Sequence, residues 1–396
     1  MKFHPSRRAL LLAGAQMPAA AWAAARMPFT FAEGEPSKAE SEKPVFRTLG
    51  KTDLKVSALG FGCMTTSDQA VIEKAADLGI NYFDTARVYQ NGNNERMVGA
   101  ALKGKRKQLF ISSKSVATDK QGALADLDTS LRELQTDYLD IWYLHNKATA
   151  ESITDDLLEA QQIAKKAGKI RFAGVSTHFN MPEILQHLVQ RGQTDVALIS
   201  YNFTMKPDLT GAIQTARKAG LGIVAMKVLA GGFSRIQRGD RLYGQNPDAL
   251  TATLKQKGAM PAAIKWALKN ESVDTAIVCI TDFDQLQENF QAMIEPFGNK
   301  DKELLAAQLA MIRPLYCRMC GSCRGTCEKG VPVSDMLRFL TYAEGYRQFA
   351  LARDRFLALP AHLRQIRCAD CRTCSVNCPN GVEVQRRLIR AQELLA

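Results

Sequence analysis

Eight short apolar segments recur between residues 56 and 280, and amphipathic stretches with helical periodicity separate them. This alternation is typical of repeated strand and helix units that share a parallel sheet. Eight such units close into a TIM (β/α)8 barrel, whose chemistry lies at the carboxyl ends of the strands. A doubly wound open sheet would carry a Gly-x-Gly-x-x-Gly turn after its first strand, which GFGCMTT (60–66) does not match. The predicted strands are 56–62, 80–86, 108–114, 138–145, 170–176, 196–202, 221–229 and 274–280.

Four polar residues lie at the ends of three consecutive predicted strands. Asp84 ends the second strand with Tyr89 just beyond it, Lys114 ends the third and His145 ends the fourth. Because neighbouring strand ends meet at one mouth of a barrel, we expect these side chains to lie close together. Taken singly, Asp84 could cap a helix, Lys114 could be a surface charge and His145 could be a core residue. The coincidence of all four favours a catalytic site.

These residue types suit the reduction of a carbonyl to an alcohol. The carbonyl oxygen needs a proton as hydride reaches the carbon, and a Tyr with its ordinary pKa near 10 is a poor acid-base group near neutrality. We expect Lys114 to lower the pKa of Tyr89, while Asp84 holds the lysine charged and in place. His145 can then orient the substrate oxygen or relay a proton.

Four stretches of the chain carry a family resemblance. They are NYFDTARVYQNGNNERMVGAAL (81–102), FISSKS (110–115), DIWYLHN (140–146) and RFAGVS (171–176). Together they resemble the aldo/keto reductase superfamily, and the resemblance extends over residues 45–297. It implies a TIM barrel with Asp84, Tyr89, Lys114 and His145 as the catalytic tetrad, Tyr89 as the general acid and NADPH as the hydride donor.

The same resemblance implies residues that would hold the nucleotide. They are Ser176 for the nicotinamide, Lys227, Gly231 and Gly232 for the pyrophosphate, and Glu288 and Asn289 for the adenine. The stretch AMKVLAGG (225–232) also resembles the branch of the family that carries ferredoxin-like C-termini.

Other positions depart from the family pattern. Thr177, Leu198 and Met226 stand where the family commonly has Asn, Gln and Tyr around the nicotinamide. After the eighth strand the chain offers Asp282 and Asp284 in place of the Arg or Lys that pairs with the 2'-phosphate of NADP. Carboxylates would repel that phosphate, which argues against a preference for NADPH. The sequence leaves open whether NADPH, NADH or neither nucleotide binds.

Two cysteine runs near the C-terminus share the spacing C-x2-C-x2-C-x3-C. They read CRMCGSCRGTCEKG (317–330) and CADCRTCSVNCPNG (368–381), and they hold eight of the ten cysteines. Zinc sites usually pair two C-x2-C units a dozen or more residues apart, and disulfide scaffolds do not require this regular spacing. The triple C-x2-C pattern followed by a fourth Cys is that of bacterial ferredoxins with two [4Fe-4S] clusters.

In such ferredoxins the fourth Cys of each run binds the other cluster. The predicted ligand sets are therefore Cys317, Cys320, Cys323 and Cys378 for one cluster, and Cys368, Cys371, Cys374 and Cys327 for the other. A pairing within each run is the alternative. Pro379 follows the last Cys of the second run, as is customary, whereas Glu328 takes that place in the first.

The C-terminal region is predicted to be all-helical. After a linker helix at 298–312, residues 313–396 contain helical stretches at 333–356, 359–366 and 382–395. This pattern resembles the helical ferredoxin module attached to many respiratory dehydrogenases. The two remaining cysteines, Cys63 and Cys279, are most simply core residues of the barrel.

The N-terminus resembles an export signal. Residues 1–25 contain a basic start, an apolar stretch and small residues that fit a cleavage site, and the adjacent Arg7 and Arg8 resemble a bacterial twin-arginine signal. We expect export to the periplasm, with an unprocessed or anchoring N-terminus as the alternative. Residues 26–44 are predicted to be a flexible tether, and no other stretch approaches the length of a membrane span.

The formal net charge of +12 is uneven, since residues 313–396 hold 14 Arg or Lys against 7 Asp or Glu. Compensation of cluster charge explains this excess, with a docking face for an acidic redox partner as an alternative. Nucleic-acid binding is disfavoured because aromatic residues do not interleave the basic ones. The leading hypothesis is an oxidoreductase acting on a small carbonyl or alcohol. The alternatives are a reductase whose clusters are structural, and a non-catalytic electron-transfer subunit with the barrel as scaffold.

Overall fold

The computed structural model describes residues 43–233, 253 and 256–396. The predicted signal (1–25) and nearly all of the tether (26–44) lie outside the described residues. The strands are β1 (Phe46–Thr48), β2 (Lys55–Ser57), β3 (Leu59–Gly62), β4 (Tyr82–Asp84), β5 (Phe110–Ser115), β6 (Leu139–Leu144), β7 (Ile170–Thr177), β8 (Val196–Ser200), β9 (Gly222–Met226) and β10 (Thr275–Cys279).

The helices alternate with the strands as far as β10 and then follow one another. They are α1 (Gln69–Asp77), α2 (Asn93–Leu102), α3 (Lys120–Leu134), α4 (Asp155–Lys166), α5 (Met181–Arg191), α6 (Pro207–Lys218), α7 (Ala259–Leu268), α8 (Phe283–Ile294), α9 (Asn299–Ile312), α10 (Val333–Glu344), α11 (Phe349–Leu357), α12 (Ala361–Arg364) and α13 (Val384–Leu395).

Strands β3 to β10 are parallel and close into a barrel in which β10 pairs with both β9 and β3. The predicted eight-stranded α/β barrel is therefore confirmed. Its register places Asp84 beside Ser112 on the next strand, and Lys114 beside Tyr143 on the strand after that. Both charged residues thus lie at the carboxyl-terminal edge of the sheet, where the predicted site requires them.

Local capping sets where several barrel helices begin. Asp68, Asp119, Thr154 and Asp282 each accept a hydrogen bond from a backbone N–H in the first turn of α1, α3, α4 and α8. Such a cap satisfies a donor that has no partner within the helix and stabilises it by about 1 kcal/mol. Asp282 therefore has a structural role besides the charge that it carries.

A hairpin closes the floor of the barrel. The predicted single strand 56–62 is divided, since β2 pairs antiparallel with β1 and only β3 enters the barrel. The hairpin directs Leu49, Leu54 and Val56 into the interior, where they pack with aliphatic and aromatic side chains of the strands. Each buried aliphatic side chain contributes about 1.5–3 kcal/mol, so the floor is a source of stability.

The C-terminal region is helical, as predicted, with a difference in its division. The predicted helix 333–356 is two helices, because the chain turns at Gly345 and Arg347 has a positive φ of 57°. Glu344 at the end of α10 forms a buried ion pair with Arg387 of α13 at 2.7 Å. This pair connects the first helix of the region to the last one.

Residues Lys43–Ala396 form one compact unit, so the barrel and the C-terminal helices pack together. Helices α10 and α11 lie over the mouth of the barrel and contribute side chains to the same cavity as the strand ends. We call this pair of helices the roof. No helix in the described part of the chain is long and apolar enough to cross a membrane.

Candidate active site

A buried ion pair lies at the centre of the barrel mouth. Lys114 Nζ donates hydrogen bonds to Asp84 Oδ2 at 2.5 Å and to the carbonyl oxygen of Thr85 at 2.6 Å. Ser112 Oγ donates to the other carboxylate oxygen of Asp84 at 2.7 Å. Burial raises the pKa of Asp84, and Lys114 and Ser112 oppose that rise. The carboxylate thus holds the Lys114 side chain in place in a buried site.

Tyr89 and His145 lie next to this pair. The Tyr89 ring meets the His145 ring edge-on, with centroids 6.1 Å apart, and Lys114 Nζ lies 5.0 Å from the centroid of the Tyr89 ring. All four predicted catalytic residues are therefore together. Burial lowers the pKa of His145 well below its ordinary range, with help from Lys114, so its imidazole is neutral at pH 7.

The pKa of Tyr89 shifts in the direction opposite to our expectation. Burial raises it well above the ordinary value, and the nearby Asp84 carboxylate adds to the rise. The Lys114 side chain is paired with Asp84 and lies over the face of the Tyr89 ring. Tyr89 is therefore protonated in the free enzyme, which suits a proton donor to a carbonyl oxygen.

These residues line a cavity of about 330 Å³ between the strand ends and the roof. Asp84, Tyr89 and His145 are on its barrel side. The roof contributes a set of polar and apolar side chains, namely Asp335, Arg338, Phe339, Tyr342, Tyr346, Leu351 and Arg355. The site is thus built from both parts of the chain.

The residues proposed for the nucleotide pyrophosphate contact the roof and the segment before it. Lys227 is hydrogen-bonded to the Tyr342 hydroxyl, and its Nζ lies 5.1 Å from the centroid of that ring. A Cβ on Gly345 would lie 1.9 Å from the carbonyl oxygen of Gly231, and a Cβ on Gly232 would lie 3.2 Å from the Tyr346 ring. This close approach leaves the pyrophosphate position covered.

The other nucleotide candidates differ from one another. Ser176 Oγ and Asn289 Oδ1 are buried without a hydrogen-bond partner among the described residues, as expected of groups that await a ligand. Glu288 is exposed on α8. Ser176 and Asn289 thus each leave a polar atom for a ligand, although neither lines the cavity, whereas the pyrophosphate position is covered.

Two cysteines lie beside the tetrad. Cys63 is fully buried in the barrel core, as predicted, whereas Cys279 is half-buried and lines the cavity. Every cysteine in the described residues is free of disulfide bonds.

The two cysteine runs lie against each other. Backbone hydrogen bonds of 2.9 Å join Arg324 and Asn377 in both directions, and Ser375 Oγ donates to the carbonyl oxygen of Thr326 at 2.8 Å. The isolated bridge between Arg324 and Asn377 brings the fourth Cys of each run close to the other run.

The thiols fall into two groups. Burial raises the pKa of Cys317 to about 12, and the neighbouring thiols of Cys320, Cys323 and Cys378 add to the rise. Burial likewise raises the pKa of Cys368 to about 11, with contributions from Cys327, Cys371 and Cys374. These are the same two sets of four that the crossed pairing predicts.

Two of the cysteine sulfurs accept hydrogen bonds from N–H donors. Asn380 Nδ2 donates to Cys320 Sγ at 3.2 Å, and the Met319 backbone N–H donates to Cys317 Sγ at 3.4 Å. No three His, Cys, Asp or Glu side chains in the described residues are placed to hold a single metal ion. In a cubane cluster each cysteine binds a different iron atom, so the thiols of a cluster site lie further apart than the ligands of a single metal ion.

Sequence reasoning missed the roof residues. Arg338, Tyr342 and Arg355 belong to stretches that read only as amphipathic helix, and nothing in their spacing places them at the barrel mouth. Asn146 and His178, one and two residues beyond the predicted strands 138–145 and 170–176, also line the cavity. Their position just past a strand end was a usable signal.

The comparisons with known proteins agree with the geometry of the barrel. The model of the Aldo/keto reductase family matches residues 58–308. The chain belongs to the aldo/keto reductase family. This family match ends before the first cysteine run, so it covers the barrel and most of α9.

Among curated relatives of this aldo/keto reductase, L-galactose dehydrogenase of Arabidopsis thaliana is 28% identical over 305 residues, covering 68% of this chain and 94% of that protein. L-glyceraldehyde 3-phosphate reductase of Escherichia coli K12 is 28% identical over 304 residues, covering 63% and 87%. An aldo-keto reductase structure from Bacillus halodurans is 27% identical, with a TM-score of 0.58, and covers 66% of this chain and 95% of that one.

Proposed function

We propose that this aldo/keto reductase interconverts a small carbonyl compound and its alcohol at Tyr89, Lys114, Asp84 and His145, and exchanges the electrons with a partner protein through two [4Fe-4S] clusters. The observation that carries the proposal is the protonated Tyr89 beside the buried Lys114–Asp84 pair at the wall of a cavity. A dehydrogenase and a reductase among the relatives support both directions of the reaction.

The proton chemistry follows from the tetrad. In the reducing direction the substrate oxygen lies against Tyr89 and His145, and the Tyr89 hydroxyl gives its proton to that oxygen as the carbon is reduced. The neutral His145 orients the oxygen by a hydrogen bond from its ring. The positive charge of Lys114 stabilises the phenolate that forms, because the two groups are close and buried. Oxidation of an alcohol runs through the same contacts in reverse.

Reduction of a carbonyl to an alcohol consumes two electrons and two protons. Two [4Fe-4S] clusters, which the two cysteine runs would hold, would each carry one electron, so together they would match the pair that the substrate needs. Tyr89 provides the proton on oxygen and is reprotonated from solvent, which also supplies the proton on carbon. A nicotinamide nucleotide, NADPH or NADH, is the alternative donor, and the covered Lys227 and Gly231 argue against it.

The cysteine groups support the cluster sites. Cys317 and Cys320 would hold their cluster with Cys323 and Cys378, and the N–H donors of Met319 and Asn380 would orient and tune the sulfurs. The first run is also tied to the barrel, since Asn202 Nδ2 donates to the Tyr316 hydroxyl at 3.2 Å and to the Lys227 carbonyl oxygen at 3.0 Å. Tyr316, which directly precedes Cys317, and Asn202 thus connect the proposed cluster site to Lys227 in the cavity wall.

The test of catalysis uses the full chain purified without oxygen. We expect reduction of an aromatic aldehyde with chemically reduced methyl viologen, and a loss of about 10²- to 10⁴-fold in kcat on Tyr89→Phe, since a general acid contributes that much. Tyr138→Phe, whose ring packs on Arg106, is the matched control. Equal rates for Tyr89→Phe and wild type would refute the tetrad. Turnover with NADPH or NADH alone would refute the cluster route.

The test of the clusters measures iron, acid-labile sulfide and visible absorbance. Cys320→Ser and Cys371→Ser should each remove one cluster, while Cys279→Ser should leave the iron content unchanged. Under the crossed pairing, the electron paramagnetic resonance spectrum of Cys378→Ser matches that of Cys320→Ser; a match to Cys371→Ser would instead establish pairing within each run. Purified protein without iron would refute both cluster sites.

We further propose that residues 1–25 direct export through the twin-arginine route, which carries folded, cofactor-loaded proteins. The support is the adjacent Arg7 and Arg8 before an apolar stretch. Lys substitution of both arginines should shift the protein from the periplasmic to the cytoplasmic fraction of a bacterial host.

A further inference from the structure

The roof gives the cavity an excess of positive charge. Three cationic side chains line it, namely Lys227, Arg338 and Arg355, against the two carboxylates Asp84 and Asp335. Lys114 lies next to this cavity and acts on His145 together with them. Asp84 is committed to Lys114, and Asp335 accepts a hydrogen bond from Arg338 at 2.6 Å. Arg355 forms no ion pair within the part of the chain that the structure describes. Among the described residues, Lys227 and Arg355 are thus left without a carboxylate partner.

We infer that the substrate carries an anionic group, a carboxylate or a phosphate, which Arg355 and Arg338 of the roof bind while its carbonyl or alcohol oxygen lies against Tyr89 and His145. This inference rests on the proposed function and specifies its substrate class. The roof is then a specificity element that the barrel alone does not provide.

Arg338 is prepared for this contact. Its guanidinium donates to Asp335 and, at 3.2 Å, to Asn146 Oδ1 at the end of a barrel strand, so its position is held from both sides of the cavity. Its Nε is buried and has no acceptor among the described residues. A guanidinium fixed in this way loses little conformational freedom when it binds an oxyanion.

The positive charges around the cavity also shift the pKa values of Tyr342 and His178. Burial alone would raise the pKa of Tyr342, yet Lys227, Arg338 and Arg355 lower it overall. Burial lowers the pKa of His178, and Lys227 and Arg338 add to the effect. At Tyr342 and His178, close to these cations, negative charge is therefore favoured and further positive charge disfavoured, unlike at Tyr89 beside Asp84.

The size and lining of the cavity suit a small organic acid. Its volume of about 330 Å³ lies at the lower end of small-molecule sites. Apolar side chains such as Val116, Phe339 and Leu351 fill the wall between the two polar ends. An apolar wall lowers the local dielectric constant and strengthens the attraction between the arginines and an anion.

The same arginines could instead meet a phosphate of a nicotinamide nucleotide, and the experiment separates these sources. The probes are para-carboxybenzaldehyde and its neutral isostere para-carbamoylbenzaldehyde, reduced with methyl viologen as donor. We expect wild type to prefer the acid, and Arg355→Gln to lower the acid-to-amide ratio of kcat/KM roughly tenfold to hundredfold, the range for a hydrogen bond to a charged group. Arg355→Lys should restore part of the ratio.

Arg353→Gln is the matched control, because Arg353 is exposed on the same helix, two residues away from Arg355. Its ratio should equal that of wild type. An equal preference for both probes in wild type, or an unchanged ratio in Arg355→Gln, would overturn the inference and leave the proposed function intact. Weaker NADPH binding in Arg355→Gln with an unchanged ratio would assign the arginines to the nucleotide and overturn it as well.

Binding separates a failure of the inference from a failure of catalysis. If wild type reduces neither aldehyde, the proposed function fails, and titration calorimetry with terephthalate and with terephthalamide still tests the anion site. Binding of the diacid that weakens tenfold or more in Arg355→Gln supports the site. Equal binding of the two compounds refutes it.

Discussion

The two ends of the barrel are closed in different ways. At the floor, the β1–β2 hairpin inserts Leu49, Leu54 and Val56 into the interior and leaves them buried among apolar side chains. At the mouth, the roof covers the strand ends but leaves a cavity lined by charged groups. Burial of apolar side chains at the floor therefore stabilises the fold, whereas the polar groups at the mouth are available to bind a ligand.

The hairpin and the roof also come from different parts of the chain. The hairpin directly precedes the first strand of the barrel in the chain, whereas the roof follows the barrel and lies beyond the end of the stretch 58–308 that matches the family. A change at the floor should thus lower stability with little effect on the rate per folded molecule. A change at the mouth should alter the chemistry first.

The largest effect is expected at the buried pair of the mouth. Lys114→Met leaves Asp84 buried without its partner, which costs about 3–5 kcal/mol in the free energy of unfolding and removes most of the activity. Denaturant unfolding and kcat measure the two effects. The double variant Asp84→Asn, Lys114→Met should regain stability without regaining activity; equal stability of single and double variants would contradict the pairing.

At the floor, Leu49→Ala should cost about 3 kcal/mol, since Leu49 is fully buried and its loss opens a cavity. The kcat of the folded fraction should stay close to that of wild type. Denaturant unfolding and active-site titration measure these quantities, and a fall in kcat comparable to that of the mouth variant would break the contrast between the two ends.

The attachment of the roof depends on Glu344, whose carboxylate pairs with Arg387 and Arg390. Glu344→Gln should lower the free energy of unfolding by about 2 kcal/mol, because it removes the charge that accepts the hydrogen bond of Arg390 and pairs with the buried Arg387. Glu383→Gln is the control, since its pair with Arg386 is exposed on both sides and contributes little. Urea unfolding compares them, and equal losses would argue against the buried pair.

The smallest effect concerns pH. His145 and His178 have lowered pKa values in the folded protein because both are buried, with cations nearby. Below the ordinary pKa of about 6.5 the unfolded chain binds protons that the folded one does not, so stability falls as pH drops through that range. The slope is about 1.4 kcal/mol per pH unit for each histidine. Urea unfolding should show a smaller slope in His178→Asn and an unchanged one in His362→Asn, whose side chain is exposed.

Much of the site could be read from the sequence because strand ends in a parallel barrel share one edge. Asp84, Lys114 and His145 each end a predicted strand, and this placement alone brought them together. The predicted direction of the Tyr89 pKa shift was wrong. The shift depends on the burial of Tyr89 and on the pairing of Lys114 with Asp84. Neither quantity is encoded in spacing along the chain.

The sequence by itself determined the repeated strand and helix pattern, the four tetrad positions and the two cysteine runs, because each is a local signal with a fixed spacing. Only the tertiary structure decided that α10 and α11 cover the mouth, that Tyr342 contacts Lys227 and that Arg338 and Arg355 line the same cavity as Tyr89. These contacts join residues more than a hundred positions apart, and their energies come from burial and charge in a shared cavity, which helical periodicity does not specify.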